Sequence, residues 1–107
     1  KVAVSPEVRE YIVAVARASR QHPAVRLGLS PRGSLAVMRA AQAHAFVRGA
    51  GYVTPDDVKA IANAVIGHRL IVDPEREAVE AERSSIVKEI LRATPVPVLP
   101  HAAIARG

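Results

Sequence analysis

The chain has 107 residues, 50% of them hydrophobic, and a formal net charge of +5. A chain of this length makes one small domain that buries about 60 to 70% of its unfolded surface. With no cysteine it has no disulfide framework, thiolate zinc site or cysteine nucleophile, and no apolar run reaches the ~20 residues of a membrane span.

The hydrophobic fraction is rich in alanine, with Tyr11, Phe46 and Tyr52 the only aromatics, which suits closely packed helices better than a sheet. An all-α fold of four to five helices is expected over 1–93, followed by an extended tail over 94–107. Ser5-Pro6-Glu7 is a helix start: a capping hydroxyl, a proline with no amide to leave unpaired, and an acid that suits the dipole. Val8, Tyr11, Ile12, Val15 and Ala18 then recur at helical spacing, predicting a first helix over 6–20. Gln21-His22-Pro23 ends it, because the residue before a proline avoids the α region. Residues 21–30 read as a loop long enough to carry a site, with Arg26 close to Gly28.

The start signal repeats at Gly28-Leu29-Ser30-Pro31-Arg32-Gly33. Gly28 permits a close approach, Ser30 caps, Pro31 takes the first helical place, and Arg32 falls at about the second. A cation there opposes the helix dipole, at a cost of up to ~1 kcal/mol, while the same helix end attracts anions. Arg32 is thus the candidate binder of a phosphate or carboxylate, with Ser30 beside it; the plain alternative is a solvated surface arginine. The second helix should run 31–48 and stop at Gly49-Ala50-Gly51, with Leu35, Met38, Ala41, Ala45 and Phe46 as its buried stripe. Arg39 lies seven residues, two turns, beyond Arg32 on the same side. It either extends an anion-binding edge or is simply solvated. His44 reads as a surface or packing residue.

Thr54-Pro55-Asp56-Asp57 gives the third start, with Asp57 as a short capping-box acid. Val58, Ile61, Ala62, Val65 and Ile66 predict a helix to about 66, and Leu70-Ile71-Val72 is extended or the helix's last turn. Asp73-Pro74-Glu75 opens a fourth segment that either continues to Arg92 or breaks near Ser84-Ser85 and restarts. Ile86, Val87, Ile90 and Leu91 form a stripe of their own, which favours the break. From Thr94 the alternating prolines preclude a helix interior.

Catalytic constellations are mostly absent. The four histidines lie more than 20 residues apart, with no metal pair at i, i+4. There is neither a G-x-S-x-G elbow nor a G-x-x-x-x-G-K-[ST] phosphate cradle, and no metal site is expected. The chain by itself does not read as an enzyme. Charge is uneven: residues 1–50 carry eight Lys or Arg against Glu7 and Glu10, whereas residues 51–107 carry seven against eight acids. The basic half contains Arg32. Such a field attracts nucleic acid, an acidic protein surface or nucleotide phosphates. The spaced single arginines and few stacking aromatics argue against nucleic acid.

From Ser5 to Leu70 the sequence resembles the C-terminal helical lid of MoxR-family AAA+ ATPases. The resemblance is carried by Pro6-Glu7 with Tyr11-Ile12-Val13, then Arg17 through Gly28, Ser30-Pro31-Arg32, Tyr52 through Val58, and His68-Arg69-Leu70. Leu29 and Gly33 stand where small residues, usually alanines, are expected. The resemblance implies that Arg32 is the sensor 2 arginine, with Ser30 and Arg39 near the nucleotide. It further implies that ATP and Mg are the cofactors of the complete protein, and that the partners are an upstream AAA+ core, neighbouring subunits of a ring and a remodelled client. It also implies a cytoplasmic protein, of which the isolated chain is catalytically silent; a start on Lys1 suits a piece of a longer chain. The alternative from another class is a free-standing basic helical module for nucleic acid or an acidic protein surface.

Overall fold

Three helix starts of one form build the frame. The computed structural model describes residues 2–23, 25–67, 71–72 and 80–97. Ser5, Ser30 and Thr54 lie in extended backbone, each followed by proline, and each side-chain oxygen accepts a backbone N–H three residues on. The donors are Val8 at 3.2 Å, Gly33 at 3.1 Å and Asp57 at 3.3 Å. Helix α1 spans Pro6–Gln21, α2 Pro31–Val47, α3 Pro55–Ile66 and α4 Glu80–Ala93. The all-α expectation is met, with four helices among the described residues.

Between the helices the chain departs from the expected loop. Val25–Leu27 forms a short strand, β1, antiparallel to β2 at Ile71–Val72, with Val25 opposite Val72 and Leu27 opposite Ile71. The stretch at 71–72 is therefore extended rather than a last helical turn. A second clamp holds the N-terminal segment. The Ala3 N–H donates to the Gly51 carbonyl at 3.0 Å, the Val53 N–H to the Ala3 carbonyl at 2.9 Å, and the Gln42 amide to the Val2 carbonyl at 2.9 Å.

The core is built from Val8, Tyr11, Ile12 and Val15 of α1, Val37, Ala41 and Ala45 of α2, Val58, Ala62 and Ile66 of α3, and Ile86, Val87 and Ile90 of α4, with Leu29 and Val53 from the connections. In α2 the buried stripe is not the expected one. Leu35 and Phe46 are exposed and Met38 is only partly buried. Two forces set this rotation. Small residues at Gly33, Ala41 and Ala45 let α2 approach its neighbours closely, where a phenylalanine would not fit. His44 and Arg48 are also drawn round to the start of α3, where both bind the buried Asp57. Gly49, at φ 83°, then turns the chain out of α2 through the left-handed region that glycine enters without strain.

The favoured break at Ser84-Ser85 is absent: α4 runs through both serines, held by the burial of Ile86, Val87 and Ile90. The expected start at Asp73-Pro74-Glu75 lies outside the described residues. Thr94 is buried and caps the exit of α4, its hydroxyl donating to the Ile90 carbonyl at 2.9 Å. The tail from 98 onward also lies outside the described residues.

Candidate functional site

The connection into α2 is fastened to the last turns of α1 by two hydrogen bonds, both to the Leu29 backbone. Ser19 is fully buried; its hydroxyl donates to the Ala16 carbonyl at 2.6 Å and accepts the Leu29 N–H at 2.9 Å. Arg20 donates from Nη1 to the Leu29 carbonyl at 2.9 Å. Both polar groups of the Leu29 backbone are thereby satisfied by α1, and the Leu29 side chain enters the core. Gly28 allows the approach. A Cβ placed there would stand 2.5 Å from Arg20 Cγ and 2.7 Å from the Arg20 backbone nitrogen.

This fastening fixes where α2 begins. Ser30 caps through the Gly33 N–H, Pro31 opens the helix, and Arg32 follows, exposed to solvent. Gly33 is buried against the bundle. Among the described residues Arg32 makes no hydrogen bond or ion pair, so its guanidinium is available at a helix end whose dipole attracts anions. The structure brings Ser30 and Arg32 together in one turn. Arg39 is also exposed, about 10 Å along the helix axis at 1.5 Å per residue. Arg32 thus extends from a fastened helix start as a fork of donors unpaired among the described residues, suited to two oxygens of a phosphate or carboxylate.

A second polar cluster ties α2 to α3: the expected capping box of Thr54 and Asp57 is present, and to it are added Arg48 and His44, which the sequence did not disclose. The Asp57 carboxylate accepts from Arg48 Nη2 at 2.8 Å and Nε at 3.1 Å, from the Thr54 N–H at 2.8 Å and hydroxyl at 3.0 Å, and sits 2.7 Å from His44 Nδ1. Burial pushes the Asp57 pKa up, but the hydrogen bonds from Arg48, Thr54 and His44 outweigh it and hold the carboxyl well below the usual range. His44 is therefore a partner of a buried carboxylate rather than a plain surface residue. The Asp57 carboxylate is held from α2 by Arg48 and His44 and from the α3 start by Thr54, so the cluster is a latch between helices. At the other end of the bundle, His22 Nε2 lies 2.6 Å from Glu89 Oε1 of α4. The Tyr11 hydroxyl is buried without a hydrogen-bond partner among the described residues, and burial followed by the charge of Asp56 pushes its pKa up.

Among the described residues no group of three His, Asp or Glu could hold a metal ion, and no helix is long and apolar enough to cross a membrane. Ser19 and Arg20 as anchors of the α2 start were missed in the sequence. The one signal pointing to them was Gly28, whose need for close approach names no partner by itself.

Comparisons with known proteins agree with this architecture. The model of the AAA lid domain family matches residues 17–90. Bacillus subtilis YeaC is 43% identical over 97 residues, covering 91% of this chain and 30% of the relative. The Chaperone MoxR1 of Mycobacterium tuberculosis is 36% identical over 73 residues, covering 68% and 19%. The crystal structure of a putative ATPase from Cytophaga hutchinsonii superposes with a TM-score of 0.78 at 27% identity, over 92% of this chain and 32% of that one. The chain spans a third or less of the length of these proteins.

Proposed function

Because the chain belongs to the AAA lid domain family, as the C-terminal helical lid region of a MoxR-type AAA+ protein, we propose that it is the ATP-responsive lid of an ATPase and that Arg32 is its phosphate-sensing residue. The observation that carries this reading is an exposed arginine at the start of α2, unpaired among the described residues, with the preceding backbone fastened to α1 by Ser19 and Arg20. A cation in that place is unfavourable for the helix itself, so its use lies with an anion. Arg32 would meet the outermost phosphate of ATP held by a core elsewhere in the complete protein, with Ser30 setting the helix start and Arg39 further along the same side. ATP with Mg supplies the phosphoryl group and the charge to be neutralised. The chain's part is to place a planar guanidinium against that charge and to turn as one body when the charge leaves.

On this reading the 107-residue chain alone neither hydrolyses ATP nor binds it tightly, because the phosphate cradle lies outside it. The complete protein would work in the cytoplasm as a ring whose subunits couple hydrolysis to chaperone-like remodelling of a client. ATP turnover by the complete protein carrying Arg32→Ala, measured beside its melting temperature, tests the assignment.

A further inference from the structure

Helix α1 turns Val8, Tyr11, Ile12 and Val15 into the core and leaves its opposite side open. Arg9, Val13 and Arg17 stand on that side at steps of four residues, over about 12 Å at 1.5 Å per residue. Both arginines are exposed, and neither makes a hydrogen bond or ion pair among the described residues. Val13 between them is 50% exposed and is the one large hydrophobic residue that α1 shows to solvent. A shallow depression is lined by Arg9, Glu10, Val13, Ala14 and Arg17. A second, lined by Val2 to Val4 with Arg9, Met38 and Gln42, meets the first at Arg9. Val2, Val4 and Met38 are only partly buried, so this second depression continues the apolar surface toward α2. Glu10 is the one acid in the two depressions, and it pairs with neither arginine.

We propose that this side of α1 is a docking face for an acidic amphipathic helix of a partner protein, which seats an apolar side chain against Val13 and sets a carboxylate against each of Arg9 and Arg17. Three observations choose the occupant. Residues 1–50 carry eight Lys or Arg against Glu7 and Glu10, so the field around the face is positive and steers an acidic chain toward it. The order Arg, Val, Arg at four-residue steps matches the pitch of a facing helix, whose own residues four apart share a side. A phosphate chain is a poorer occupant. Val13 offers it nothing between the two cations, and with Tyr11 buried α1 exposes no aromatic on which a base could stack. The proposal goes beyond the ATP reading and makes no use of Arg32.

The probe is a fluorescein-labelled, alanine-based helical peptide whose single leucine is flanked by glutamates four residues away on either side. It is titrated with the complete protein in the absence of nucleotide, and binding is read by fluorescence anisotropy. The proposal expects a dissociation constant below about 100 μM at about 0.15 M ionic strength. Val13→Asp and Arg17→Glu should each weaken binding at least about tenfold. The double variant Arg9→Glu/Arg17→Glu should lose this peptide and bind one in which lysines replace the glutamates, an exchange that an unfolded protein could not make. Failure of the complete protein to bind the peptide would overturn the proposal, as would an affinity indifferent to Val13→Asp. Equal affinity for a single-stranded oligonucleotide of matched charge would overturn it too, since the face would then be a phosphate track. So would self-association abolished by Arg17→Glu, because a second copy, through its own Asp73, Glu75, Glu77, Glu80 and Glu82, would then be the cover. Failure of the ATP reading shows elsewhere, as turnover indifferent to Arg32→Ala, and leaves these affinities unchanged.

Discussion

The Leu29 N–H donates to the Ser19 hydroxyl over 2.9 Å in a fully buried setting, ten residues away in the chain. With the Arg20 bond to the Leu29 carbonyl, this bond joins the end of α1 to the segment from which α2 starts. It is the element that makes the position of Arg32 a property of the whole bundle rather than of a loop.

Ser19→Ala should leave the buried Leu29 N–H without an acceptor. The cost is about 1 to 3 kcal/mol, which for a domain of this size lowers the melting temperature by about 5 to 15 °C. Thermal unfolding followed by circular dichroism checks it. An unchanged melting temperature would mean that the connection repairs the loss by shifting.

Gly28→Ala should be destabilising through space rather than backbone strain. The new methyl would meet the Arg20 backbone nitrogen at 2.7 Å and its Cα at 2.8 Å, atoms that move only with the helix. A cost near the upper end of the ~1 to 3 kcal/mol typical of overpacking is expected. Denaturant titration measures it.

Asp57 sets an acid limit on stability. Its folded pKa is lowered from the ordinary 3.8, so its contribution is fully present above that value and is lost as pH falls through the folded one. Asp57→Asn should flatten this acid limb and cost about 3 kcal/mol at neutral pH, because Arg48 and His44 lose a charged partner. Urea unfolding from pH 7 down to pH 2, which enters the range below 3.8 where the contribution is lost, separates the two effects.

The C-terminal edge can be located by truncation. Alternating prolines after Thr94 suggested that residues 94–107 bury little, yet Thr94 is buried and bound to Ile90. We propose that a chain ending at Pro97 melts within about 2 °C of the parent, whereas one ending at Ala93 loses several degrees. Equal melting of the two would mean that Thr94 contributes nothing.

What could be read beforehand follows from how local each determinant is. The starts at Ser5, Ser30 and Thr54 were legible because a cap and its proline act within four residues, and the Ser30-Pro31-Arg32 core of the candidate site comes from the same signal. The rotation of α2 was not. Phe46 and Leu35 fit a helical stripe as well as Val37 does, and the choice is made by Asp57 and by close packing of alanines from elsewhere in the chain. Pairing of Val25 with Val72 was equally invisible, since neither short stretch specifies its partner. The break foreseen at Ser84-Ser85 treated two serines as punctuation, while burial of Ile86 and Val87 carries α4 through them.

The most direct measurement of the central claim is ATP turnover by the complete protein with Arg32→Ala, set against the melting temperature of the same variant. Arg32 opposes the α2 dipole and makes no hydrogen bond or ion pair among the described residues, so its loss should leave the melting temperature unchanged or slightly higher. Loss of a charge-assisted contact to the outermost phosphate should lower turnover by about 30-fold to 1000-fold, corresponding to ~2 to 4 kcal/mol of transition-state stabilisation. Arg32→Lys should recover part of the rate, because an ammonium lacks the planar fork, and Arg39→Ala should change it only a few-fold. An Arg32→Ala protein that turns over ATP normally per folded molecule while its lid unfolds would make Arg32 a structural residue and contradict the account.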